Sequence, residues 1–329
     1  GRRRKKAPEA GIPAVVSWMG SIPRRSARYH FNYGRQSRLA PQPGGCATCF
    51  GRSVEIAVID FHTHSAASDG ALSARDLLDR AAREGVRRMA ITDHDTIAGY
   101  LSVCQSVPLG LELISGVELS CQWGRVGIHI VGLGFDPDAP AMTRHLEGLD
   151  KARRDRAEKI AHKLDRSGMP GALAGAMAVA DGAQIGRPHF ARWMVLAGHV
   201  ESEEMAFKRF LGRGKPGDIS LLWPALDDTV ATITASGGLA VLAHPLEYKM
   251  TATRLRALTD VFREAGGVAL EVINGRPKPG DTDTLWRLVR ERDLKASVGS
   301  DFHRDSPYGA GLGVEVSTIP DGAGIWEQL

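Results

Sequence analysis

The chain has 329 residues, 43% of them hydrophobic and 24% charged, a globular composition with ample apolar material for a core. No apolar run reaches the length of a membrane helix, and four cysteines are too few for a secreted disulfide framework, so a cytoplasmic protein is expected. The net charge of +4 hides an asymmetry: residues 1–52 hold 11 of the 42 basic residues and only Glu9 of the acids, a local +10, while the remainder nets −6.

That basic head, opening Gly1-Arg2-Arg3-Arg4-Lys5-Lys6, is proline-containing and aperiodic. It reads as a largely disordered extension, a solvated tail rather than an RNA-binding arm, ahead of a folded domain of residues 53–329. Cys46 and Cys49 form a lone CxxC pair, half a zinc site at most.

Val54–Ile59 reads as a short buried strand. If it continues through His64, then Asp60, His62 and His64 share one face, and two imidazoles so placed can grip one cation. Asp69, in the Ser68-Asp69-Gly70 turn that follows, can add an oxygen ligand. A helix capped by Ser73, with Asp76 at its third position, is predicted through Glu84 and closed by Gly85. Further short strands are predicted at Met89–Ile91, Leu111–Ile114 leading to Gly116–Glu118, Gly127–Gly132, Gly238–Ala243, Gly267–Val272 and Ala296–Ser300. Helical patterns occupy Thr253–Ala265 and Thr282–Arg292 between them.

Strands alternating with helices argue for an α/β fold with a largely parallel sheet. Polar residues recur at the strand C-termini: His62/His64, Asp93/His94, His244, Asp301/His303. A (β/α) barrel gathers such ends at one face, which an open doubly wound sheet does not, so a barrel is favoured. Residues of about 150–222 break the rhythm. A charged helix over Lys151–Ser167, Gly/Ala-rich turns and a helix near Glu203–Leu211 read as a helical insertion over the barrel mouth.

Collected, the candidate metal ligands are His62, His64, Asp69, His94, Glu118, His129, His244, Asp301 and His303. Nine nitrogen and oxygen donors without a thiolate suit two or three divalent cations such as Mn²⁺, Fe²⁺ or Zn²⁺. With only three carboxylates, three such cations leave a positive surplus that favours a phosphate ester. No phosphate-binding Gly-rich loop and no GxSxG elbow is present, so NTP-driven and serine chemistry are not indicated.

Asp60-x-His62-x-His64 with Ser68-Asp69-Gly70, Thr92-Asp93-His94-Asp95, Gly116-Val117-Glu118, Ala243-His244-Pro245 and Ser300-Asp301-Phe302-His303 resemble, in order, the motifs of the PHP (polymerase and histidinol phosphatase) superfamily. His129-Ile130-Val131-Gly132, Gly186–Arg192 and Arg213-Gly214-Lys215 resemble its stand-alone bacterial branch of nucleoside 3′,5′-bisphosphate phosphatases and 5′→3′ exoribonucleases. The resemblance implies a distorted (β/α)7 TIM-like barrel and a trinuclear centre, with manganese its usual metal. It places His62, His64, Glu118 and Asp301 on a first metal and Glu118, His129 and His244 on a second. Asp69, His94 and His303 fall on a third. Glu118, Asp301 and His303 are read as catalytic as well as ligating, around a metal-bridging hydroxide.

Arg187, Lys215 and Arg192 are expected to hold the substrate's other phosphate, and Asp60 and Asp93 to orient neighbouring histidines. His189 is expected to face substrate or support a ligand rather than bind metal. The expected substrate is a nucleoside 3′,5′-bisphosphate or a short 5′-phosphorylated RNA, with neither a membrane nor an obligate protein partner indicated. A histidinol-phosphate phosphatase and a non-catalytic PHP-derived nucleotide-binding module are the alternatives. A polymerase-attached proofreading domain is not expected, since no polymerase-length sequence follows.

Overall fold

The computed structural model of the protein describes residues 58–219, 223–307 and 309–329. The basic head, the Cys46/Cys49 pair and the start of the first predicted strand lie outside the described residues. Among the described residues nine strands form two sheets: β1 (Val58–Asp60), β2 (Arg88–Ala90), β3 (Glu112–Ile114), β4 (Gly116–Trp123), β5 (Val126–Leu133), β6 (Leu239–Leu242), β7 (Ala269–Asn274), β8 (Lys295–Gly299) and β9 (Val314–Glu315). Their orders among the described residues are β3-β2-β1-β9 and β4-β5-β6-β7-β8. Backbone hydrogen bonds stitch the sheets at two seams. Phe61 N donates to Val298 O (3.1 Å) and Asp301 N to His62 O (2.8 Å) at one. Glu118 N donates to Asp93 O (3.3 Å) and Asp95 N to Glu118 O (2.9 Å) at the other.

The pairings β1–β2, β2–β3, β6–β7 and β7–β8 are parallel, but β5 runs antiparallel to both β4 and β6. The expected largely parallel sheet therefore needs correction. Trp123 faces Val126, leaving only Gly124 and Arg125 to turn the chain, and a two-residue connection permits only an antiparallel return. Gly124 supplies the positive φ (+59°) that such a turn demands.

Helices cover the strands: α1 (Ala74–Arg83), α2 (Ala98–Val103), α3 (Pro140–Asp165), α4 (Ala172–Ala180), α5 (Arg187–Leu196), α6 (Glu203–Ala206), α7 (Leu226–Ala235), α8 (Ala252–Glu264) and α9 (Asp281–Glu291). Ser73 caps α1 through Asp76 N (3.1 Å), as its sequence predicts. Val230 and Ile233 of α7, Leu258 and Phe262 of α8 and Leu288 of α9 are buried against the strands. Each such side chain contributes about 1.5–3 kcal/mol by burial.

α3 begins earlier than predicted, because Pro140 sits at its first turn, where a missing N–H costs nothing. Its 26 residues join two cores. Met142 and Leu149 lie in the strand-centred core, whereas Ile160 and Leu164 lie in a separate cluster with Met169, Phe190, Met194 and Leu211. The stretch expected to form Gly/Ala-rich turns contains the helix α4. Alanine is the strongest helix former, and bare Gly175 lets the Trp193 ring lie against α4 where a Cβ would collide with it. α6 runs on into a π-helical turn over Phe207–Leu211. Among the described residues no helix is long and apolar enough to cross a membrane.

One buried ion pair ties α3 to the strand ends. Arg153 Nε donates to Asp95 Oδ2 (2.6 Å), Nη1 to Ile185 O (3.1 Å) and Nη2 to Ser120 Oγ (3.4 Å). Burial pushes the Asp95 carboxyl up, but Arg153 and the Ser120 N–H together hold it below its ordinary value. Replacing Arg153 by Met leaves a buried carboxylate unpaired, which costs about 3–5 kcal/mol. Urea unfolding should show that loss, and an Asp95→Asn/Arg153→Met double variant should lose less than the sum of the single variants.

Candidate metal centre

The centre is assembled from strand ends. His62 and His64 follow β1, His94 follows β2, Glu118 and His129 lie on β4 and β5, His244 follows β6, and Asp301 and His303 follow β8. Three residues at these ends, Asp95 (φ 54°), His244 (φ 28°) and Asp301 (φ 53°), have left-handed backbones that non-glycine residues seldom adopt. A sharp turn at each end aims side chains inward.

All nine candidate ligands gather in one basin around Glu118, whose side chain is 1% exposed. Glu118 Oε2 lies 2.8 Å from His94 Nδ1 and 3.4 Å from both His62 Nε2 and His64 Nε2. Glu118 Oε1 lies 2.7 Å from His129 Nδ1 and 2.8 Å from His244 Nε2. Asp301 Oδ1 is 3.3 Å from His64 Nε2 and 3.5 Å from His62 Nε2. Asp69 Oδ1 is 3.3 Å from His303 Nε2, and Asp69 Oδ2 is 3.8 Å from His94 Nε2. Three sets lie within reach of a common ion: His64, Asp69, His94 and His303; His62, His64 and Asp301; His62, Glu118 and His244. His94, Glu118 and His129 form a fourth.

The electrostatics show what the basin is built to receive. Burial opposes charge on His62, yet Glu271, Glu118 and Asp301 draw its pKa well above the ordinary value. Burial likewise opposes the Glu118 carboxylate, which His94, His129 and His62 bring well below the ordinary range. His64 goes the other way: burial, then the neighbouring His303, pushes it down to about 3, a neutral ring with a free lone pair. His62 Nε2, both ring nitrogens of His64, Asp69 Oδ1, His94 Nδ1 and Glu118 Oε2 are buried without a hydrogen-bond partner. Buried polar atoms normally have partners. Donor atoms of these types, turned toward one another, fit divalent cations.

Asp60 and Asp93, expected to orient neighbouring histidines, contact backbone and hydroxyl donors rather than imidazole nitrogens. Asp60 accepts from the backbone N–H of Gly313 (2.8 Å), Ser300 (2.9 Å) and His62 (3.4 Å). Asp93 accepts from Ser65 N (2.8 Å) and from the Ser65 and Ser68 hydroxyls (both 2.6 Å). They hold the ligand-bearing loops by backbone and hydroxyl, because donors beyond the strand ends have no ladder partner. Burial pushes both carboxyls up to about 6 against these bonds.

A carboxylate that meets an imidazole directly is Glu271 on β7, which sequence reasoning missed. Its Oε1 lies 3.0 Å from His62 Nδ1, while Oε2 accepts from His244 N (2.7 Å) and Asn274 Nδ2 (3.0 Å). A carboxylate within the apolar run Val268-Ala269-Leu270-Glu271-Val272 was the available signal. Gly299 keeps this corner open, since a Cβ there would strike His62 and come within 2.9 Å of Glu271 Oε1. His189 accepts the Gly186 N–H through Nδ1 (3.0 Å), closing the start of α5.

Beside the basin lies a cavity of about 840 Å³ that shares Asp69, His94 and His129 with it. Arg125, Arg153, Arg156, Arg187, Arg213 and Arg254 line it. Of the three cations expected to hold a phosphate, Arg187 lines this cavity, whereas Arg192 and Lys215 are exposed and outside the lining. Arg153 and Arg156 also line it, because they stand three residues apart on one face of α3. Arg156 is anchored to Ile219 O (3.0 Å) and stacks against Trp223. Burial, then the Arg187 and Arg153 charges, brings its guanidinium down to about 9.

Imidazoles and carboxylates converging at strand ends, beside a cationic cavity, define a metal-dependent hydrolase on an α/β frame. The PHP domain family matches residues 60–167. The 5′-3′ exoribonuclease of Haemophilus influenzae is 42% identical over 274 residues, covering 82% of this chain and 98% of its own. The 3′,5′-nucleoside bisphosphate phosphatase of Chromobacterium violaceum is 38% identical, covering 83% of this chain and 97% of its own. A solved structure from Chromobacterium violaceum, described as an amidohydrolase with bound sulfate and no metal, aligns with TM-score 0.75 and 37% identity. That alignment covers 82% of this chain and 95% of the other. The chain belongs to the PHP family and is a phosphoesterase that uses divalent metal.

Glu271→Gln weakens the hold on His62 without removing a donor from the basin. Metal content at limiting Mn²⁺ should show affinity reduced about 10- to 100-fold, with the fold retained by circular dichroism.

Proposed function

We propose that this enzyme hydrolyses nucleotide phosphoesters, removing the 3′-phosphate of nucleoside 3′,5′-bisphosphates and releasing 5′-mononucleotides from short 5′-phosphorylated RNA. The observation that carries the reading is the wall shared by the metal basin and the arginine cavity. A phosphorus at the basin and a second phosphate among guanidinium groups describe a nucleotide phosphorylated at both ribose positions. In each reaction the bond from phosphorus to the ribose 3′-oxygen breaks. Water oxygen joins phosphorus and a proton passes to the 3′-oxygen. The names of the exoribonuclease and bisphosphate phosphatase relatives support the same pair of activities.

The donor sets suit two or three cations, most favourably Mn²⁺, with Fe²⁺ and Zn²⁺ as the other candidates. His62, His64, Glu118 and Asp301 would hold one, Glu118, His129 and His244 a second, and Asp69, His94 and His303 a third. When bound, such ions supply Lewis acidity toward the phosphoryl oxygens and a nucleophile from water at neutral pH. Glu118 reaches both histidine groups through its two oxygens. Asp301, His303 and His129 are the more accessible of these donors, at 27%, 29% and 32% exposure. Asp301 and His303, with Glu118 between the donor groups, would lie nearest the reacting phosphorus. Arg156 and Arg187 bind the second phosphate, whose charge relieves the repulsion among the guanidinium groups.

The two hydrogen-bonded seams support a further reading in which β3 and β4 act as one bent strand. Seven strands then make the distorted (β/α)7 barrel, and the helices from the second half of α3 to Leu211 form the insertion over its mouth. A cytoplasmic location accords with the low cysteine content.

The test is phosphate release from adenosine 3′,5′-bisphosphate and from histidinol phosphate with added Mn²⁺. The bisphosphate should be turned over, and His62→Ala should lower the rate about 100-fold or more. Chelation should abolish activity and Mn²⁺ restore it. Histidinol phosphate carries an ammonium group that the arginine cavity repels, so turnover of that substrate alone would overturn the nucleotide reading.

Arg156→Ala should raise KM for the bisphosphate about 10- to 100-fold, the worth of one charge-assisted contact. Hydrolysis of a simple aryl phosphate, which has nothing to place in that cavity, should change little. Equal losses on both substrates would remove Arg156 from this role.

A further inference from the structure

The basin has a second approach. A small cleft of about 60 Å³ is walled by His244 and by Glu271 and Asn274, with Arg276, Lys278 and Asp281 also lining it. The arginine cavity reaches the basin at Asp69, His94 and His129, whereas the cleft reaches it at His244. Glu247 borders both. The two openings therefore meet the centre at different walls.

Two contacts bring the basic residues of this loop to the accessible rim. Gly275 N donates to Gly299 O (3.1 Å), so the segment after β7 runs beside the turn that carries Asp301. Arg276 Nη1 donates to Pro307 O (3.2 Å), in the loop that follows His303. Arg276 and Lys278 are themselves exposed. Of the acids lining the cleft, Glu271 is engaged with His62, His244 N and Asn274, and Asp281 with Lys278 N (3.0 Å), while Glu247 is exposed at its far edge toward the arginine cavity.

A nucleotide whose 5′-phosphate sits among the guanidinium groups has its 3′-phosphorus at the basin. Any RNA beyond that phosphorus must leave by an opening other than the arginine cavity. We propose that Arg276 and Lys278 bind the RNA strand on the 3′ side of the scissile bond, by its backbone phosphates. The loop then holds the shortened strand, which retains the attacked phosphate at its new 5′ end. This inference rests on the RNA arm of the proposed function. A bisphosphonucleoside, having no phosphate beyond the reacting one, makes no use of the loop.

The experiment compares wild type with Arg276→Ala/Lys278→Ala and Arg276→Glu/Lys278→Glu. The substrates are adenosine 3′,5′-bisphosphate, a 5′-phosphorylated dinucleotide and a 5′-phosphorylated pentanucleotide. The dinucleotide carries only its 5′-phosphate and the scissile one. Both variants should keep wild-type rates on the bisphosphate and the dinucleotide, which also shows that they fold. On the pentanucleotide kcat/KM should fall about 10-fold in the alanine variant and further in the glutamate variant. The slope of log kcat/KM against log salt should flatten by about 0.7 for each backbone phosphate that the variant no longer neutralises. Unchanged pentanucleotide cleavage in both variants, or equal losses on all three substrates, would overturn the strand path and leave the proposed function standing. A wild-type enzyme that hydrolyses the bisphosphate but no RNA would overturn the RNA arm and this inference with it.

Discussion

The carboxylate of Glu118 is the point on which the rest of the structure depends. Five imidazoles, those of His62, His64, His94, His129 and His244, approach its two oxygens within 3.4 Å, and none of them shares a strand with it. An ionised carboxylate without water is costly unless positive charge or strong donors surround it. The fold answers by directing successive strand ends at one interior point. The cost reaches the backbone too, in the left-handed conformations of Asp95, His244 and Asp301. Divalent cations resolve the same conflict more completely, because they satisfy carboxylates and neutral imidazoles together.

Around that point, two further carboxylates keep the loops in place without touching the chemistry. Asp60 joins the His62 backbone to Ser300 and Gly313, and Asp93 ties down the Ser65–Ser68 turn that leads to Asp69. Glu271 then sets the His62 ring and the His244 backbone at once. Such bonds bear on rate as much as on stability, since displacing a metal ligand by a fraction of an ångström changes the geometry presented to phosphorus.

The arginine cavity poses the opposite electrostatic problem, and α3 links the two. Arg153 leans on Asp95, one residue from the candidate ligand His94, while Arg156 on the same helix face lines the cavity. The helix thus ties the metal basin to the arginine cavity through a buried ion pair. Guanidinium groups crowded in this way repel one another, a repulsion that an anion among them would relieve.

Much of this was legible from residues close together in the chain. His62 and His64, the turn at Asp69, the strand-end pairs Asp93/His94 and Asp301/His303, and the Ser73 cap are local patterns governed by strand alternation and backbone hydrogen bonding. By itself, the sequence determined which nine donor residues come together in the basin, the alternation of strands and helices and the preference for phosphate esters. Contacts between distant segments were decided only by tertiary structure. Glu271 meets His62 across 209 residues, β5 reverses direction at a two-residue turn, and Arg153 and Arg156 rather than Arg192 and Lys215 turn inward. The physical reason is that residue type and spacing define what a side chain can bind. Which side chain it meets depends on how whole elements pack, and on burial that no local stretch contains.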